Sequence, residues 1–113
     1  MNFFSYKDAR KLVTLRMAEE GKSHPTRRVL LDSVDAIMVE LGYLSSKTKV
    51  NSEDRRMSAA QVVGELSLHG MLVQDRDEHV LTITEKGREA LRLLEAKADM
   101  AGGKTVRHAR KCV

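Results

Sequence analysis

The sequence predicts a mainly α fold with a small β-ribbon. Two observations carry this. Apolar residues recur at helical spacing in four separate stretches. One pair of short extended runs, 72–75 and 79–83, flanks the polar turn Asp75-Arg76-Asp77-Glu78 and gives the ribbon. The length, 113 residues, bounds the chain to one domain with one modest core.

The first helix is expected over residues 5–20. Ala9, Leu12, Val13 and Met17 form its apolar stripe. Phe3, Phe4 and Tyr6, three of the four aromatic residues, gather at its start. Such a cluster at a terminus docks either on its own domain or on a second subunit. Gly21-Lys22-Ser23-His24-Pro25 breaks the pattern, and Ser23 or His24 is the expected cap of the next helix. That helix runs to about residue 41, with Leu30, Val34, Ile37, Met38 and Leu41 inward, and ends at Gly42.

Residues 45–56, SSKTKVNSEDRR, carry Val50 as their one aliphatic side chain. They are read as a degenerate short helix or as a loop ordered by a partner. Ser58 and Gln61 then form an S-x-x-Q capping box at the start of the third helix. Ala59, Val62, Val63 and Leu66 recur along it, and Gly70 stops it as a left-handed C-terminal residue. The ribbon occupies 72–83. Thr84 caps a last helix over 85–100, which opens with Glu85 at the positive end of its dipole. Leu91, Leu94 and Ala98 share one face, with Ala90 and Leu93 on its flank.

The order helix, strand, turn, strand, helix over 58–91 is that of the second half of a winged helix-turn-helix. Two runs carry the resemblance. Leu66-Ser67-Leu68-His69-Gly70-Met71-Leu72-Val73 resembles the end of a recognition helix in the MarR- and PadR-like winged-helix regulators. Ile83-Thr84-Glu85-Lys86-Gly87-Arg88-Glu89-Ala90-Leu91 is similar to the run that follows their wing. About a third of the chain carries the match strongly. The resemblance implies a winged helix-turn-helix over 1–103 with flanking N- and C-terminal helices. A fold carries many functions, so it speaks to architecture first.

Charge divides the chain. The segment 104–113 holds Lys104, Arg107, Arg110 and Lys111 and no acid, and reads as a basic disordered tail. The other basic residues equal the 16 acids, so the body is formally neutral. The tail either adds nonspecific phosphate attraction or serves as a solubilising end. The lone Cys112 cannot form an internal disulfide, and no apolar run approaches membrane-spanning length. A cytoplasmic protein with no membrane association is expected.

No catalytic constellation stands out, and no enzyme activity, metal or cofactor is expected. His24, His69, His79 and His108 are scattered, and His108 with Cys112 supplies two ligands on a tail. The candidate DNA-binding residues are Lys47, Lys49, Arg55, Arg56, Ser58, Gln61 and Arg76. Arg55 and Arg56 precede the recognition helix, where guanidinium groups would meet phosphates, and Lys47 and Lys49 add charge before them. Ser58 and Gln61 sit in its first turn, and glutamine pairs with adenine N6 and N7 in the major groove. Arg76 at the wing tip would enter a minor groove. Residues 58–71 contain no lysine or arginine, and acids flank Arg76.

The leading expectation is a transcription regulator that binds double-stranded DNA as a homodimer, two recognition helices entering successive major grooves. The dimer is expected through the N-terminal helix and the helix at 85–100, on the strength of Phe3, Phe4, Leu15 and Leu93. The alternative is a winged-helix protein-interaction module, of the kind a phage or plasmid accessory protein uses to bind a host factor. A continuous positive face over 55–65 favours DNA. A mixed face with Met57, Val62 or Leu68 exposed favours a protein.

Overall fold

The computed structural model describes residues 4–41, 58–75, 77 and 79–102. Among these residues four helices and one antiparallel strand pair follow in the order α1 (Tyr6–Glu19), α2 (Arg27–Glu40), α3 (Ala59–Leu68), β1 (Leu72–Gln74), β2 (Leu81–Ile83) and α4 (Glu85–Gly102). The fold is mainly helical with a small β-ribbon, as the sequence pattern predicts.

Helix α1 is the hub. It packs against α2, α3, α4 and β2. Ala9, Leu12, Val13, Leu15 and Ala18 are all buried, so α1 is covered well beyond one stripe. Thr14 is buried too. Its hydroxyl donates back to Arg10 O at 2.8 Å, which satisfies it inside the helix. Phe4 is fully buried and Tyr6 nearly so, which places the described aromatics on their own domain. This corrects the basis of the expected dimer: Phe4 and Leu15 are spent on the monomer's own core. Phe3 lies outside the described residues.

Local chemistry sets the helix boundaries. Ser5 caps α1 through a reciprocal box: its hydroxyl accepts from Asp8 N at 3.1 Å, and the Asp8 carboxylate accepts from Ser5 N at 3.0 Å. At the other end Gly21 N donates to Ala18 O and Lys22 N to Met17 O, with Gly21 at φ 67°. Gly70 closes α3 in the same way, at φ 74°, with Gly70 N on Ser67 O and Met71 N on Leu66 O. Both are Schellman motifs, which need a left-handed residue and so favour glycine.

The cap of α2 differs from expectation. Thr26, rather than Ser23 or His24, accepts from Val29 N at 3.2 Å. Residues 22–24 are extended instead. His24 N donates to His79 O and Leu81 N donates to Lys22 O, giving an antiparallel bridge between Ser23 and Val80. On the opposite side Val80 O accepts from Asp75 N, and β2 pairs with β1 in the register Leu72↔Ile83, Val73↔Thr82, Gln74↔Leu81. The ribbon therefore gains a short third segment from the connection between α1 and α2. Leu72, Leu81 and Ile83 point into the core while Val73 and Thr82 face outward, the alternation of a half-buried strand pair.

Candidate nucleic-acid interface

Helix α3 buries Ala59, Val62, Val63 and Leu66 and exposes Ala60, Gln61, Gly64, Glu65, Ser67 and Leu68. The exposed side is smooth. A β-carbon built on Gly64 would meet no atom within 4 Å. Its first turn is fixed by the reciprocal box the sequence predicts. Ser58 Oγ accepts from Gln61 N at 3.1 Å, and Gln61 Oε1 accepts from Ser58 N at 3.1 Å. Two of the helix's orphan N–H groups are thereby satisfied.

That box bears directly on the candidate reader. Paired reading of adenine needs the glutamine oxygen to accept from N6 while the amide nitrogen donates to N7. The oxygen of Gln61 already serves the cap, so in this conformation its amide nitrogen is the group left to face a ligand. Ser58 is likewise committed through its hydroxyl.

Of the other candidate residues, Lys47, Lys49, Arg55, Arg56 and Arg76 lie outside the described residues, as do Met57 and the expected helix-or-loop segment 45–56. At the ribbon turn, Asp77 N donates to the Asp75 carboxylate at 2.8 Å, and His79 adopts φ 56°. Asp75 and Asp77 are exposed there.

The structure adds cations distant in sequence from α3. Lys7, Arg10 and Lys11 of α1, with Val62 and Glu65 of α3, line a cleft of about 220 Å³. Lys7, Arg10 and Lys11 are spaced i, i+3 and i+4, so one helix face presents all three. The Arg10 guanidinium lies over the Tyr6 ring, 5.3 Å from its centroid. Among the described residues, the cleft's cations form no ion pair with a carboxylate, and Glu65 forms none with a cation. The face around α3 is thus mixed. Its own residues are neutral or acidic, and among the described residues its positive charge comes from α1. Val62, a marker of a protein-binding face if exposed, is buried, while Leu68 is 84% exposed.

Helix α4 is tied across α1 by Lys97 Nζ to Asp8 Oδ2 at 2.8 Å and by Arg16 Nε to Glu95 Oε1 at 3.4 Å. Burial pushes the Asp8 carboxyl upward, but hydrogen bonds from Lys97 and from the backbone and hydroxyl of Ser5 outweigh it and hold the group below its ordinary value. On its outer side α4 leaves Leu93 and Met100 72% and 59% exposed. Among the described residues there is no group of three or more metal-ligating side chains, and no helix is long and apolar enough to cross a membrane. The chain matches no protein-family profile, no curated protein and no solved structure.

Proposed function

We propose that the protein is a winged-helix DNA-binding transcription regulator, with α3 as the recognition helix and the β1–β2 ribbon as the wing. The observation that carries this reading is the bridge between residues 22–24 and 79–81. In a winged helix a short strand between the first and second helices pairs with the wing, and this chain has a paired segment at that place in its order. In this reading α2 leads into the helix-turn-helix, whose segment over 42–57 lies outside the described residues. The exposed side of α3, flat at Ala60 and Gly64, suits close approach to a groove floor.

The regulator acts as a homodimer, which blocks or recruits polymerase by occupying two successive major grooves. Leu93 and Met100, seven residues apart on α4, support a contact there. A gel shift on random genomic fragments with a salt series tests the reading. Retarded bands that fade as salt rises support it, because counterion release makes phosphate binding salt-dependent. No shift even at low salt rejects it.

One observation favours the second reading, a protein-interaction module binding a host factor. Leu68 projects almost fully from the end of α3, beside a helix with no cation of its own. A parent chain that shifts no DNA but captures a host protein, with capture abolished by Leu68→Ser, would select this alternative.

A further inference from the structure

We propose that the cleft between α1 and α3 seats a backbone phosphate of duplex DNA, with Lys7, Arg10 and Lys11 as its cationic wall. This rests on the DNA-binding reading and deepens it, because it assigns the anchoring charge to α1 rather than to the recognition helix or the wing.

Four features converge. Among the described residues the cleft holds three cations against the single carboxylate of Glu65, a positive balance. Among the described residues the cations are not consumed by ion pairs, although Lys97 and Arg16 of the neighbouring α1–α4 junction are. Arg10 is steadied over the Tyr6 ring, which reduces the rotamer freedom it would give up on binding. The opposite wall is α3 itself, through Val62 and Glu65. A phosphate held there lies directly beside the helix that enters the groove and fixes its register without reading sequence, the division of labour expected of phosphate contacts.

The cleft suits an anion better than it suits chemistry. Among the described residues its lining has no histidine, cysteine or hydroxyl, and one carboxylate, Glu65. Glu65 is the counterweight. Its charge opposes any anion in the cleft, so removing it has a sign that misfolding cannot imitate.

The test is fluorescence anisotropy of the full chain with a fluorescein-labelled, random-sequence duplex over a salt series. The variants are the double change Lys7→Gln with Lys11→Gln, the single change Glu65→Gln, and Lys86→Gln as a control on exposed α4. The double variant is expected to lower the slope of log affinity against log salt by about one unit, for the one phosphate the cleft no longer neutralises. Glu65→Gln is expected to tighten binding severalfold, and Lys86→Gln to leave the slope as in the parent chain. A double variant with the parent slope, while the parent binds, overturns the cleft assignment and leaves the regulator reading standing. A parent chain that fails to bind duplex at low salt overturns both. Binding of a labelled oligoglutamate in place of the duplex would make the cleft a seat for an acidic protein segment and also overturn the assignment.

Discussion

Gly87, in the first turn of α4, lies against Met71 so closely that a β-carbon there would overlap the Met71 carbonyl oxygen. The side chain of Ile83 would crowd the same atom at 2.8 Å. Thr84 reinforces the approach. Its N–H donates to Met71 O at 3.1 Å, and its hydroxyl donates to Gly70 O at 2.6 Å while accepting from Gly87 N at 3.0 Å. One threonine thus caps α4 and ties it to the C-terminal end of α3.

Two glycine-to-alanine changes should therefore act in opposite directions. In an exposed helix interior the change ordinarily gains about 1 kcal/mol. Gly64, on the open side of α3, should follow that rule. Gly87→Ala should instead cost about 3 kcal/mol or more, since backbone rather than a flexible side chain must move. Thermal or urea unfolding of the two variants checks the pair. Equal effects would show that α4 can move off Met71 freely.

Leu66 is almost completely buried in α3. Leu66→Ala should cost about 2–5 kcal/mol through forfeited transfer energy and the cavity left behind. Leu68→Ala, two residues on and almost fully exposed, should change stability by less than about 0.5 kcal/mol. Urea midpoints for the two variants measure the contrast.

Much of this fold is legible in the sequence where the determining chemistry is local. The Ser58–Gln61 box, the left-handed Gly70, the Thr84 cap and the inward stripes of α2 and α3 depend on neighbours within one or two helical turns. Four features are not legible. The pairing of 22–24 with 79–81 joins segments more than 50 residues apart, and Lys-Ser-His carries no strand propensity that would announce it. The burial of Leu15 arises because α1 is surrounded by α2, α3, α4 and β2, which a single stripe at helical period cannot reveal. The cationic cleft joins α1 to α3 across half the chain, so a search for phosphate-binding residues beside α3 in sequence passes over Lys7, Arg10 and Lys11. The aromatic cluster leaves two docking partners open, and Phe4 and Tyr6 resolve them only through tertiary packing.

Asp8 gives the fold a defined acid response. Its folded value lies below that of the unfolded chain. Its contribution is therefore complete above the ordinary carboxylate value, about 4, and disappears as pH falls through the folded value. Asp8→Asn keeps an acceptor for Ser5 N but gives up the charge facing Lys97. It should cost about 0.5–1 kcal/mol at neutral pH, since the pair is partly exposed. The difference from the parent chain should shrink below pH of about 4. Urea titrations at neutral and acid pH measure it, and a gap that widens in acid would contradict the assignment.

The exposed Leu93 and Met100 carry the dimer prediction. If α4 forms the contact, Leu93→Lys with Met100→Lys should convert the protein to a monomer in light scattering while its helical circular dichroism is retained. Both side chains are exposed in the monomer, so the changes should cost the fold itself little. A parent chain that is already monomeric at tens of micromolar (~) would remove the dimer from the proposed function, since association depends on protomer concentration.

Gln61 carries the final prediction because it has two separable roles. Its oxygen completes the cap of α3 with Ser58 N, and the amide nitrogen of this exposed side chain remains as a donor. Gln61→Ala removes both. It should lower stability by about 0.5–2 kcal/mol, the range for removal of a cap, and relax sequence preference by about 1–3 kcal/mol on the best DNA site. Gln61→Glu separates the roles. Glutamate serves a capping box as well as glutamine does, and its charge suits the N-terminal end of the helix. That variant should unfold no earlier than the parent chain, yet bind DNA more weakly, because a carboxylate replaces the donor and repels phosphate. Unfolding curves paired with binding curves on one preferred site decide the matter. A Gln61→Glu protein that keeps both stability and affinity would confine Gln61 to the cap, and recognition of the bases would then have to come from elsewhere on α3.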